Sequence, residues 1–165
     1  MSFALVDAPR DRPDFLRETV DLLTGELDGH RARLLARVEA TSDEALVEGS
    51  DDDWSVGMVA YHLLVSERGM MGIVMRLARG EVPTSTGQPR PVVGSATRQV
   101  IAEAAAKAAS AVQRVRAEFP ADAELGTTAP SPYFSQFNCI SWLFASAFHY
   151  RAHLHALEQG VKSAL

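Results

Sequence analysis

The chain has 165 residues, 22% of them charged, and a net charge of -5. That length fits a single domain over 1–165 with one buried core. The acidic balance, with no clustered basic face visible, excludes nucleic acid as an expected partner, and the lone Cys139 excludes an intramolecular disulfide.

The N-terminus, Met1-Ser-Phe-Ala-Leu-Val-Asp-Ala-Pro-Arg-Asp-Arg, has no basic region followed by an apolar core, so no signal peptide is expected. Leu16, Val20, Leu23, Leu27, His30, Leu34 and Val38 fall at steps of four and three, which predicts an amphipathic first helix. Pro13-Asp14 starts it and Thr41-Ser42-Asp43 follows its end. After the polar stretch Glu48-Gly-Ser-Asp-Asp-Asp, Ser55 is a good N-cap for a second helix running to Arg79, with Gly80 at C′. Ser95 is assigned as the cap of a third helix, striped by Ile101, Ala104, Ala108, Val112, Val115 and Phe119. Its segment Ala102-Glu-Ala-Ala-Ala-Lys-Ala-Ala is strongly helix-prone. Asn138 caps a fourth helix reaching about Gln159, before Gly160.

No segment alternates in the manner of a strand, so no sheet is expected. The fold class predicted is all-α, a four-helix bundle. The connection Glu81 to Gly94 is long for a bundle loop and holds Pro83, Gly87, Pro89 and Pro91. At about 3.3 Å per residue it can run the length of a helix, which predicts a long crossover between parallel helices two and three. The second long loop, Pro120 to Phe137, carries Tyr133, Phe134 and Phe137, expected to fold over one end of the bundle and able to wall a pocket.

The chemistry gathers on histidines. His149 and His153 lie four apart in the apolar segment from Cys139 to Leu157, on one helical face and about one turn apart. His62 interrupts a second apolar run, Val59-Ala-Tyr-His-Leu-Leu-Val. Both faces point to the core and carry small residues (Ser66, Gly69, Ala145, Ser146) beside the imidazoles. Neutral imidazole is costly to bury without a partner. One divalent metal shared by His62, His149 and His153 explains all three; a hydroxyl or water for each is the alternative. His155 lies some 200° around the helix from His153 and is assigned to the surface. His30 falls on the inner stripe of the first helix and is read as a hydrogen-bonded core residue. The zinc-protease helix needs a glutamate directly after its first histidine. Here Tyr150 stands there, so that chemistry is excluded. Cys139, ten residues before His149, is read as an inert buried thiol.

Two segments resemble the DinB/YfiT-like superfamily of metalloenzymes, which includes bacillithiol- and mycothiol-dependent transferases. Asp53-Trp54-Ser55-Val56 through His62-Leu-Leu-Val-Ser-Glu67 is similar to the family's Trp-Ser opening of helix two with its metal histidine. His149-Tyr-Arg-Ala-His153 is similar to the paired histidines of its last helix. The resemblance implies His62, His149 and His153 as the metal ligands and a bundle with a crossover between helices two and three. Where many members follow the last ligand with Arg-Gly-Gln, this chain has Leu154-His155-Ala156. Substrate assignments from close relatives therefore do not carry over.

Three imidazoles leave coordination positions open, and they suit zinc, nickel or another first-row divalent ion. The leading expectation is a metal-dependent S-transferase using a low-molecular-weight thiol as cosubstrate, the thiol's identity being implied by the resemblance. The alternatives are a metal-dependent hydrolase and a non-enzymatic metal-binding stress protein. A general base is not identifiable; Glu67 is nearest His62 in sequence but roughly 140° away around the helix. The expected partner is a small-molecule substrate. Met58, Phe144 and Phe148, assigned to exposed faces, leave two options open, a homodimer face or packing against the long loops. Apolar runs broken by Glu67, Arg68, His149 and Arg151 predict no membrane span and a soluble cytoplasmic protein.

Overall fold

A computed structural model describes residues 12–86, 90–132 and 136–160. Its elements in order are α1 (Arg12–Glu39), α2 (Asp43–Val47), α3 (Val56–Ala78), α4 (Arg98–Glu118), β1 (Ala129–Pro130), β2 (Gln136–Phe137) and α5 (Cys139–Glu158). The four long helices are those expected, and they form a helical bundle.

Their ends follow from local chemistry. Ser55 Oγ accepts from Met58 N, and the same hydroxyl donates to Leu46 O, tying the start of α3 to α2. Gly80, at φ +77°, takes the left-handed position that closes α3. Asn138 caps α5 by accepting from Ser141 N, and Gly160 at φ +69° follows its end. One expectation is corrected, and one element was not foreseen. The cap of α4 is Thr97, which accepts from Val100 N, because Ser95 is spent in the preceding turn, donating to Val92 O. The residues after α1 do not form a plain connection: Ser42 accepts from Ala45 N and caps the short α2, whose Leu46 is fully buried.

Ion pairs and carbonyl contacts give the helix directions. Arg98, at the start of α4, donates to Val38 O and Thr41 O at the end of α1, while Arg116 reaches Thr24 and Asp28. These two helices are therefore antiparallel. Arg79 pairs with Glu118, and Glu124 N donates to Ala78 O, so the ends of α3 and α4 coincide and the two run parallel. The connection from Arg79 to Thr97 is the crossover. His30 lies beside Tyr150 and Arg33 beside Glu158, so α1 and α5 are parallel to each other. Around the bundle α3 packs on α4 and α5, and α1 on α5 and α4, an up-down-down-up arrangement.

No sheet was expected, yet β1 and β2 pair antiparallel, Ala129 opposite Phe137 and Pro130 opposite Gln136. Two residues per strand are too few to leave any alternation in the sequence. Phe137 is half-buried, edge-on to Trp142 at 5.9 Å between centroids. It sits at the α5 N-terminus, about 18 Å along the axis from His149, so it does not wall the imidazole site. Tyr133 and Phe134 lie outside the described residues. Met58 was assigned to an exposed face but is fully buried, because its side of α3 is covered by α2 and the segment around Gly49. Phe144 and Phe148 are exposed on α5 as expected. Among the described residues, no helix is long and apolar enough to cross a membrane.

Candidate metal centre

His62 stands two turns into α3, and His149 and His153 stand one turn apart in the second half of α5. Because α3 and α5 are antiparallel, these positions meet across one cleft. His62 Nε2 is 3.2 Å from His149 Nε2, and His153 Nε2 is 3.1 Å from the same atom. The rings meet edge-on at interplanar angles of 63° to 86°, with centroids 4.7 to 5.4 Å apart. All three side chains are buried, at 2% to 5% exposure.

Those separations provide a test of fit. A tetrahedral ion with metal–nitrogen bonds of 2.0–2.1 Å needs its nitrogens about 3.3 Å apart. The two distances meet that requirement, and one ligand atom from each residue lies within 4.8 Å of the others. Protonation agrees. Burial, then the neighbouring imidazoles, lower the His149 pKa to about 3, and burial with His62 lowers that of His153 to about 4. Both rings are neutral near pH 7, with lone pairs available to a cation. The residues present thus fit a divalent ion.

Trp54 lies against the His62 ring in an edge-on contact, centroids 5.0 Å apart. Its position follows from Ser55: the N-cap turns the chain just before α3 and drives the preceding indole inward, to 4% exposure. Ser66 Oγ and Trp142 Nε1, on the inward faces of the same two helices, are buried with no hydrogen-bond partner among the described residues.

Next to the cleft runs a polar network that the sequence did not disclose. Glu67, 1% exposed, accepts from Arg31 Nη1 at 2.5 Å and from Tyr150 Oη at 2.7 Å. Arg31 also binds Asp28, which receives Arg116 from α4 at 2.7 Å. Desolvation raises the Glu67 pKa to about 7, against the pull of Arg31 and the Tyr150 hydrogen bond. Burial pushes the Tyr150 hydroxyl well above its usual range. The network therefore links α1, α3, α4 and α5 beside the imidazoles. Its partners are tens of residues apart in the chain, so only Glu67, a charge in an apolar run, signalled it.

The remaining candidates fall outside the cluster. His30 is part-buried beside Tyr150, 6.2 Å between centroids, with Glu26 Oε2 at 3.8 Å. Burial lowers its pKa. His155 is exposed. Cys139 is buried with its thiol pKa raised by desolvation, and its Sγ donates to Glu124 O at 3.7 Å. It is unreactive by that environment.

The sequence profile of the DinB superfamily matches residues 26–157. No curated protein matches this chain. Among solved structures, TT2238, described as a four-helix bundle protein, is similar at a TM-score of 0.63 and 22% identity. The similarity covers 85% of this chain and 98% of that one. At that identity it concerns the fold alone.

Proposed function

The chain belongs to the DinB superfamily, and from that premise we propose that it is a metal-dependent S-transferase using a low-molecular-weight thiol, with His62, His149 and His153 as metal ligands. The convergence of three buried ring nitrogens carries the proposal. A divalent ion there, zinc or nickel by ligand type, supplies Lewis acidity that lowers the pKa of a thiol or water towards neutrality.

The chain's own residues contribute position and dryness. Two antiparallel helices hold the imidazoles, and Trp54 restrains the His62 ring from the side. An all-histidine set leaves further coordination positions to exogenous groups, the composition of a catalytic rather than a closed structural site. One observation favours transfer over hydrolysis: among the described residues no carboxylate joins the histidine cluster. Glu67 has one oxygen on Arg31 and the other on Tyr150. Water activated for hydrolysis ordinarily needs a positioned base. An acidified thiol attacks an electrophile without one. In that reaction the sulfur forms the new carbon–sulfur bond, the leaving group departs with its electron pair, and the thiol proton passes to solvent.

Two measurements test the proposal. Purified wild-type protein should carry stoichiometric metal and His149→Ala should carry almost none; equal contents would exclude the ligand set. Monochlorobimane with a panel of thiols, mycothiol and bacillithiol included, should then give chloride release and bimane conjugation only with metal-loaded protein. Silence with every thiol leaves hydrolysis or passive metal binding in a stress protein.

A further inference from the structure

A second hollow, sharing no residue with the histidine cluster, lies in the seam between α3 and α4. Its volume is about 700 Å³, within the range of small-molecule sites. Five cations and one acid line it, in a chain whose net charge is -5. Arg68, Arg76 and Arg79 come from the α3 side, Lys107 and Arg114 from α4, and Glu81 is the acid. On each helix these cations are separated by runs of mostly apolar and small residues, so no basic face shows in the sequence. The parallel packing of α3 on α4 makes one.

Only part of that charge is neutralised internally. Glu118 serves Arg79 at 3.6 Å and Arg114 at 3.3 Å. Glu81 is 4.0 Å from Arg76. Among the described residues, no carboxylate stands within ion-pair distance of Arg68 or Lys107. Glu103, one turn before Lys107, instead accepts from Gln99. Arg68 and Lys107 also border a smaller hollow further along the same seam, lined in addition by Glu103, so the two cations sit at the centre of the combined groove.

The floor is apolar. Met71 and Met75 are almost fully buried beneath it, and Gly72 opens it: among the described residues, a Cβ there would meet no atom within 4 Å. Thioethers make favourable contacts with aromatic rings, and guanidinium groups stack on ring faces while they fork onto phosphate. From Arg68 to Arg79 is about 16 Å along α3, enough for a ring and a chain of phosphates end to end. We propose that the α3–α4 groove binds a small organic polyanion with two or three negative charges and a planar apolar body, the chemistry of a nucleoside di- or triphosphate. Arg68 and Lys107 hold the phosphates, and the base lies over Met71, Gly72 and Met75. The groove is independent of the imidazole cleft and of any chemistry there.

Isothermal titration of the full-length, chelator-treated protein at low ionic strength tests this, with ATP, ADP, adenosine, inorganic tripolyphosphate and polyglutamate as probes. ATP and ADP should bind saturably, and adenosine and tripolyphosphate at least tenfold more weakly. The pair Arg68→Glu with Lys107→Glu should weaken ATP at least tenfold. Gly72→Leu, which fills the floor without changing charge, should do the same. His149→Ala should leave ATP affinity unchanged. Circular dichroism of each variant should match the wild type, and a variant that fails this is replaced by Arg68→Gln with Lys107→Gln. The proposal is overturned if ATP and ADP do not bind, or if they bind charge-reversed and wild-type protein alike. Tripolyphosphate or polyglutamate binding as tightly as ATP also overturns it, as does loss of ATP binding in His149→Ala alone.

Discussion

Glu67 illustrates what one residue contributes at the centre of this bundle. Its carboxyl is desolvated enough that its pKa rises from 4.5 to about 7 despite Arg31 and Tyr150. An acid whose folded pKa exceeds its unfolded value binds its proton more tightly in the native state. The stability due to the neutral form is complete below the unfolded value and is lost as pH rises through the window from 4.5 to about 7. The whole shift corresponds to about 3 kcal/mol. His149 and His153 act in the opposite sense in metal-free protein, since their lowered values make stability rise with pH up to about their unfolded pKa of 6.5. The raw profile therefore mixes the two, and the difference between wild type and Glu67→Gln isolates the acid. Urea unfolding of both metal-free proteins from pH 4 to pH 8 should show wild type losing about 3 kcal/mol relative to the variant. A difference that stays level across that range would mean that Glu67 keeps its unfolded-state pKa in the bundle. The histidine pair was readable because residues four apart share a helical face. The Arg31–Glu67–Tyr150 contact was not, because its members are separated by 36 and 83 residues.

The elements are held by caps and close approaches that vary in how plainly they read. Ser55 and Asn138 announced themselves, each a good cap directly before an apolar run. Thr97 did not, because Ser95 two residues earlier offers the same hydroxyl and only its bond to Val92 O removes it from contention. The five residues of α2 are too few for any periodicity. Its consequence is concrete at Gly57, where α3 begins in the angle between α2 and the segment leading to α4. A Cβ on Gly57 would stand 2.2 Å from Leu46 O and 2.8 Å from Ala96 O, both backbone atoms that cannot simply rotate away. Gly57→Ala should therefore cost roughly 1–3 kcal/mol or more, lowering the melting temperature by about 5 °C for a chain of this size. Gly69, in the same helix, is exposed, and no atom of the described residues lies within 4 Å of its would-be Cβ. There Ala removes only conformational freedom and should add about 0.5–1 kcal/mol. Ser55→Ala deletes both the cap on Met58 N and the bond to Leu46 O and should cost about 1–2 kcal/mol. Differential scanning calorimetry of the three variants checks the set, and the decisive feature is the opposite sign of the two glycine substitutions.

For the whole molecule, the class of fold and its crossover followed from four apolar stripes and one long, proline-rich connection, since loop length limits which helix ends can be joined. Composition misled on charge, because a total of -5 conceals a groove assembled from two helices. The imidazole cleft also has a consequence at this scale. His62 and His149 are 87 residues apart in the chain and come together only when α3 and α5 are docked. An ion held by all three rings therefore binds the folded state and has no comparable site in the unfolded one. At a free concentration one hundred times its dissociation constant it stabilises the fold by about 2.7 kcal/mol, equivalent to about 5–11 °C in melting temperature. Chelator-treated protein should melt lower by that amount and recover on addition of zinc or nickel. His149→Ala should melt at one temperature with or without metal, because two rings on separate helices no longer enclose the ion. A wild-type melting temperature indifferent to chelator and to added metal would dissociate the docked histidines from ion binding, whereas a rise that persists undiminished in His149→Ala would place the stabilising ion elsewhere in the bundle.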